Sequence, residues 1–416
     1  MSNEPTDANI ATDLQDERLR QRQGITGFIA VGLERIRGGD LGVLPVVLGL
    51  GIIWTIFQSL NSYFLSSANL VNLLMECSAV GVISLGIVCL LLVGEIDLSV
   101  GSVSGFSAAV VAVAFVKHDW PLPLAITGAI ATGVLIGYVY SVIYNRFGVP
   151  SFVITLAGLL GFQGLQLFTL GHSGTINLPF DSVLVKFGQL WFVPPALSYG
   201  FVALAVLGFL MARMSRARAR GAAGLSASSR QSLLVQAGGL AVLLLFATWY
   251  LNEGRGVGWM FVLFVTLVLA VNYALTRTKW GLSVYAVGGN EEAARRAGVN
   301  VRKVYVSVFI LCSTLAAVGG LLAAGRLAAA AQSSGAGDVN LNAIAAAVIG
   351  GTSLFGGRGS AFAALLGIIV IQSISSGLTL LNLDSSYRYM VTCGVLLLSV
   401  MLDSVSRRSR TAHGRA

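Results

Sequence analysis

Charge is what this chain has least of: acidic and basic residues make up 11% of it, against about a quarter in soluble globular proteins. Its 416 residues would otherwise suggest two or three soluble domains, but too few charges are present to solvate their surfaces. Lysine occurs only at positions 117, 186, 279 and 303, and none follows a glycine. That excludes a P-loop, whose Gly-Lys step brings backbone N–H groups and the ammonium together on phosphate. The three histidines, His118, His172 and His413, stand apart with no HExxH, so no metal site is expected. No serine has glycines two before and two after it, which leaves no nucleophile elbow. The four cysteines (Cys77, Cys89, Cys312, Cys393) lie in or beside apolar runs without a CxxC pair. They read as small buried hydrophobes, not as disulfide or metal partners. Catalytic residues and a cofactor bound by this chain are therefore not expected.

What remains is apolar. Hydrophobic residues are 55% of the chain and come in runs of about twenty, enough to carry a helix across roughly 30 Å of hydrocarbon. The 50 glycines fit the same setting, because small residues let membrane helices approach closely. The expected fold is an all-α polytopic membrane protein. Candidate spans fall at 41–60, 72–93, 98–116, 122–144, 151–171, 197–213, 233–251, 257–276, 304–325, 341–355, 360–380 and 387–403, and 341–355 is short for a span. The count is thus ten to twelve transmembrane helices in a membrane domain of 41–405, between polar tails 1–40 and 406–416.

The net charge of +9 is confined to connectors, which argues for a bilayer partner and against nucleic acid. With alternating sides from a cytosolic N-terminus, the cytosolic segments carry Arg18, Arg20, Arg22, Arg35 and Arg37, then Arg146. They also carry Arg213, Arg216, Arg218, Arg220 and Arg230; Arg277, Lys279, Arg295, Arg296, Arg302 and Lys303; Arg358; and Arg407, Arg408, Arg410 and Arg415. That is 22 of 27 basic residues, a bias that places both termini in the cytosol of a cell-membrane protein. The loops 214–232 (basic, read as flexible) and 277–303 fall on the same side. The longest outer loop, 172–196, holds His172, Asp181 and Lys186, with Trp191 and Phe192 as interfacial anchors.

Three carboxylates stand near apolar runs. Glu76 reads as a solvated residue about one turn inside its span. Glu95 and Asp97 lie between two runs, where Asp97 is placed to cap a helix opening at Leu98-Ser99-Val100; a mid-membrane helix break is the alternative reading. Neither reading supplies an evident ion relay, so the energy for any transport should come from another chain.

Within 277–303, the stretch from Gly288 to Gly298 reads as a complete short helix. Asn290 suits its N-cap, Glu291 and Glu292 its first turn, Arg295 and Arg296 its last, and Gly298 its left-handed end. Ala293, Ala294 and Ala297 form a small-residue face. A helix lying on lipid would show Leu, Phe or Trp there; alanines suit a groove in a protein.

Four stretches carry a resemblance over 41–405. They are Gly94-Glu95-Ile96-Asp97-Leu98-Ser99-Val100-Gly101-Ser102; Val149-Pro150-Ser151-Phe152-Val153-Ile154-Thr155-Leu156-Ala157-Gly158; the helix at 290–298 continuing into Val299-Asn300-Val301; and Ile344 to Gly357. In this order they resemble the permease subunits of sugar-importing ABC transporters, the ribose/xylose/arabinose/galactose group. Within it, Trp120-Pro121-Leu122-Pro123-Leu124, the long basic loop 214–232 and Leu251 to Val257 are most similar to D-xylose permeases. Xylose-type members share Glu95, whereas Glu76 (commonly Gln) and the long N-terminal tail are departures.

The resemblance implies a path enclosed by a second permease copy, with an extracellular or periplasmic sugar-binding protein on the outer loops. A cytosolic ABC ATPase would use ATP and Mg and grip Asn290 to Gly298, while Gly94, Glu95, Asp97, Ser99 and Gly101 would lie near the path or a helix cap. A branched-chain amino-acid ABC permease and an ion-coupled carrier are the alternatives.

Overall fold

A computed structural model describes residues 44–223, 230–384, 386–395, 397, 398 and 401; the expected tails at 1–40 and 406–416 lie outside these residues. The elements are helices α1 (Leu44–Leu60), α2 (Ser67–Leu92), α3 (Val100–Ala112), α4 (Leu122–Phe147), α5 (Ser151–Leu170), strand β1 (Thr175–Asn177) and α6 (Val183–Gln189). They continue with α7 (Pro195–Ala222), α8 (Arg230–Asn252), α9 (Trp259–Arg277), α10 (Lys279–Gly289), α11 (Glu291–Arg296), α12 (Val301–Leu327), β2 (Ala329–Ala331), α13 (Asp338–Ile349) and α14 (Phe362–Leu380).

Among the described residues nine helices are long and apolar enough to cross a membrane: α2, α3 with the π-helical turn Val113–Lys117, α4, α5, α7, α8, α9, α12 and α14. The expected spans 41–60 and 341–355 appear as the shorter apolar helices α1 and α13. The loop 172–196, read from sequence as the longest outer one, has structure of its own. It contains α6, started by the Ser182 hydroxyl accepting the Val185 N–H at 3.4 Å, and β1 pairs antiparallel with β2.

Local chemistry sets the helix ends. Prolines at 121, 150 and 194 stand immediately before α4, α5 and α7 with φ near −55°, where a missing N–H costs nothing. Gly148 closes α4 in the left-handed conformation, its N–H donating to the Tyr144 carbonyl at 3.1 Å.

Close contacts divide the chain into two units. One comprises 193–256, where α7 and α8 pack against each other. Residues 214–222, read from sequence as part of a loop, instead continue α7 through Ala222, so Arg216, Arg218 and Arg220 are helical. Arginine and alanine are good helix formers, and nothing in 214–222 breaks the run. The remainder of that loop at 224–229 lies outside the described residues.

The other unit, 42–192 with 257–405, is built around α12, which packs on α2, α3 and α4. Of the four cysteines expected to be buried, Cys77, Cys89 and Cys312 are, but Cys393 is exposed, so an apolar neighbourhood in sequence did not fix its burial. The helix axes come close because glycines face backbone. A Cβ on Gly320 would collide with Ser104 of α3, and one on Gly101 with the Gly335 carbonyl. Without a hydrophobic force between helices in lipid, such contacts are the main source of packing energy. Most unusual is the passage from α2 to α3: Gly94 turns the chain at φ +83°, and the backbone runs without helix until Val100.

The charge bias and these exposures define a topology test. Cysteine is placed singly at Phe180, 73% exposed in the loop before α6, or at exposed Ala222, in a cysteine-free chain. With both termini cytosolic, an impermeant maleimide applied to intact cells with a permeable envelope should label position 180 and leave 222 unlabelled. Labelling of 222 would reverse the orientation.

Candidate functional site

The helix expected at Asn290–Gly298 forms as α11. The Asn290 side chain accepts the Ala293 N–H at 2.9 Å, Glu291 pairs with Arg295 at 2.5 Å and Glu292 with Arg296 at 3.2 Å, and Gly298 takes φ +85°. These ion pairs are exposed, so each contributes only a few tenths of a kcal/mol; their consequence is a preformed helix of one and a half turns. One expectation needs correction. Ala294 is 4% exposed and packs into the same core as Val301 and Val304, because it lies on the face turned toward α12. The available small-residue face is Ala293 and Ala297, both exposed and one turn apart, flanked by Glu292 and Arg296.

Two tyrosines that sequence reasoning did not single out tie this helix to the interior. The Tyr305 hydroxyl donates to Glu291 Oε2 at 3.3 Å. Its ring lies 4.7 Å, centroid to centroid, from that of Tyr144, and the Tyr144 hydroxyl donates to Glu95 Oε1 at 2.7 Å. Four side chains thus lead from α11 to the segment between α2 and α3. Tyrosine near a membrane helix end normally reads as an interfacial belt residue, which is why neither stood out in one dimension.

Glu95 and Asp97 have separate surroundings: Glu95 is half-buried beside Tyr144, and Asp97 lies in the packed interior. Asp97 is fully buried, and α3 begins three residues later at Val100. Asp97 Oδ1 accepts the Ser99 N–H at 2.7 Å and the Ser99 hydroxyl at 2.6 Å. With that proton committed, the Tyr140 hydroxyl donates to Ser99 Oγ at 2.7 Å. Tyr140 is seven residues before the end of α4 at Phe147, about 10 Å along the helix, so the α3 start is set inside the bundle. The geometry has features of both readings: Asp97 takes up a free N–H from just outside the formal cap at Ser99, and α3 starts within the packed bundle.

The break is closed by residues from distant elements. Leu98 N–H donates to Thr155 Oγ1 at 3.2 Å. Asn340 makes two contacts at once, its Oδ1 accepting the Gly101 N–H and its Nδ2 donating to the Leu98 carbonyl at 2.6 Å. Asn340 stands in the first turn of α13, so the N-termini of two short helices meet there. Asn340 stands just ahead of the apolar run at 341–355, between Asp338 and Asn342, where a polar residue reads as an ordinary helix start. Among the described residues no three His, Cys, Asp or Glu side chains come together as metal ligands.

Removing the Asp97 acceptor gives a direct test of this account. Asp97→Asn keeps Oδ1 and should leave the amount of heat-resistant, monodisperse protein in detergent close to wild type. Asp97→Leu strands the Ser99 N–H and hydroxyl in the interior, at about 1–3 kcal/mol each, and should lower that amount sharply. Equal heat resistance of the two variants would show that the break does not depend on Asp97.

Comparison with known proteins agrees with this architecture. Residues 69–400 match the family model described as branched-chain amino acid transport system / permease component. The chain is 34% identical over 380 residues to the xylose transport system permease protein of Escherichia coli (strain K12), covering 91% of this chain and 95% of that protein. The xylose transport system permease protein of Haemophilus influenzae is 33% identical, over 90% of this chain and 99% of its own length. The ribose import permease protein of Escherichia coli (strain K12) is 29% identical, over 86% and 92%. No solved structure matches. A family match across more than three quarters of the chain, carried by helices that span a membrane and meet at an internal break, has one meaning: this is a multi-pass membrane protein that belongs to the branched-chain amino acid transport system / permease component family.

Proposed function

We propose that this chain is the membrane-spanning subunit of an ATP-driven, binding-protein-dependent importer of D-xylose or a related monosaccharide. The observation that carries the reading is similarity to xylose permeases along nearly the whole chain, stronger than that to a ribose permease. In this reading two copies enclose the path, and a binding protein delivers sugar at the outer loops. A separate ATPase then hydrolyses ATP, since the chain has no P-loop of its own. A path with few ionisable groups suits a neutral, hydroxyl-rich cargo, whereas charged cargo would call for compensating charge.

The ATPase seats on Ala293 and Ala297, the exposed alanines of α11. Movement of α11 pulls on Glu291, and through Tyr305 and Tyr144 on Glu95, one residue of the segment that sets where α3 begins. Gly94, Glu95, Asp97, Ser99 and Gly101 act in this scheme as the hinge, with Asn340 holding its far side.

Uptake by the reconstituted complex tests the cargo and the energy source together. ATP-dependent uptake of radiolabelled D-xylose is expected with the cognate binding protein. Leucine uptake in its place would establish the amino-acid alternative, and uptake that survives without ATP but collapses with uncoupler would establish an ion-coupled carrier.

Coupling has its own readout. Ala297→Trp costs well under 1 kcal/mol in helix propensity, so the chain should insert normally. A bulky ring at a close-packed contact costs roughly 1–3 kcal/mol, or about five- to 150-fold in association. Stimulation of ATP hydrolysis by sugar-loaded binding protein should vanish in Ala297→Trp and persist in Ala222→Trp at the end of α7. Tyr305→Phe, which removes the hydroxyl that bonds Glu291 and Tyr144, should leave ATPase binding intact and weaken the stimulation. Full stimulation with tryptophan at 297 would place the ATPase contact elsewhere.

A further inference from the structure

Glu76 is a feature of α2 that neither packing nor the helix break explains. From sequence it sits about one turn inside a span, within reach of water. The structure starts α2 at Ser67, which puts Glu76 nine residues in, about 13 Å along the helix, beyond what a glutamate side chain can span to an interface. Its neighbours Met75 and Cys77 are fully buried. From Val71 to Val93 it is the only exposed residue, so this stretch presents no apolar stripe of the kind that faces lipid. Other membrane-spanning helices look different, with apolar residues exposed: Leu160 at 67% and Phe168 at 85% on α5, and Leu204 at 67% on α7.

The groups around Glu76 are polar as well. Gln372, eight residues before the end of α14, donates its amide to Glu76 Oε2. One turn on, the Ser376 hydroxyl donates to Asn69 Oδ1 at 3.1 Å. Asn69 and Glu76 are two turns apart on one face of α2, and Gln372 and Ser376 one turn apart on α14. Arg388, which donates to Ser375 of α14 at 3.4 Å, pairs with Asp338 at 3.3 Å, so among the described residues Glu76 is held by an amide and not by a cation. A carboxylate open to hydrocarbon at this depth is costly, and such groups are found facing water-filled cavities.

We propose that the face carrying Asn69, Glu76, Gln372 and Ser376 lines a water-filled transport path and forms a station that hydrogen-bonds the hydroxyls of an uncharged, polyhydroxylated solute. The inference rests on the permease reading. Its chemistry is specific within that reading: a carboxylate and two amides offer acceptors and donors at alternating heights, which suits vicinal hydroxyls and offers nothing to a hydrophobic or anionic cargo.

The test uses the full complex in proteoliposomes, with Cys393 replaced by serine because it is the exposed native cysteine. Gln372→Cys and Ser376→Cys are treated with a positively charged, water-soluble methanethiosulfonate, with Leu160→Cys, at an exposed apolar position of α5, as the control. Both path positions should react at least about tenfold faster than the control; reaction as slow as at 160 in both would overturn the proposal. Labelling reports on water whatever the cargo is, while D-xylose uptake by the unmodified complex, measured alongside, reports on the importer reading alone. Given that uptake, Glu76→Gln keeps an acceptor and should transport within about twofold of wild type. Loss of a hydrogen bond to a charged group should reduce uptake about tenfold or more in Glu76→Leu. Gln372→Leu is read in parallel should that variant be unstable. Wild-type uptake by the leucine variants would overturn the solute contact.

Discussion

Backbone amides cannot be left unpaired in hydrocarbon, and this constraint governs the whole structure. Helices satisfy it internally, which is why most of the chain is a set of long apolar helices. Two stretches of the larger unit do not: the turn and extended segment between α2 and α3, and the descent from β2 to α13. They persist because side chains from other helices replace the missing backbone partners. Asn340 supplies a donor and an acceptor to the α3 start, and Thr155 an acceptor to Leu98. Buried Gln166 donates to the carbonyls of Ala331 and Ser334 at 2.9 and 2.8 Å.

An internal break of this kind is also where a transporter can move. Straight helices in a close-packed bundle resist bending, whereas a segment held by a few side-chain hydrogen bonds has alternatives of similar energy. The same segment contains Glu95, which the tyrosine pair connects to α11. The region where the fold is least regular is therefore joined, through four side chains, to α11, the helix proposed above to seat the ATPase. Positions that sequence logic handles poorly and the positions proposed as the hinge coincide here, as expected where local regularity is given up for a purpose.

Much was legible in one dimension. Runs of about twenty apolar residues fixed the class, and basic connectors suggested an orientation. The pattern from Asn290 to Gly298 was complete enough to give a capped helix, because each capping rule concerns residues only three or four apart. The motifs from Gly94 to Ser102 and from Ile344 to Gly357 pointed to the family. What failed were readings that needed a third dimension. Ala294 was counted among the docking alanines because periodicity says which residues share a face and not which face is covered. Residues 214–222 were given to a loop because arginine content suggests solvent, although arginine is a good helix former.

The sequence by itself determined that this is a helical membrane protein with no nucleotide or metal machinery in familiar form, and where its short capped helix lies. Those properties follow from composition and from contacts between near neighbours in the chain. Only the tertiary structure decided that Asp97 lies inside the bundle, that Asn340 completes the α3 terminus, and that Glu76 is both deep and exposed. Each of these depends on residues tens to hundreds of positions apart (Asn340 and Leu98 are separated by 242). Burial and pairing at such distances are properties of the packed helices and leave no periodic trace along the chain.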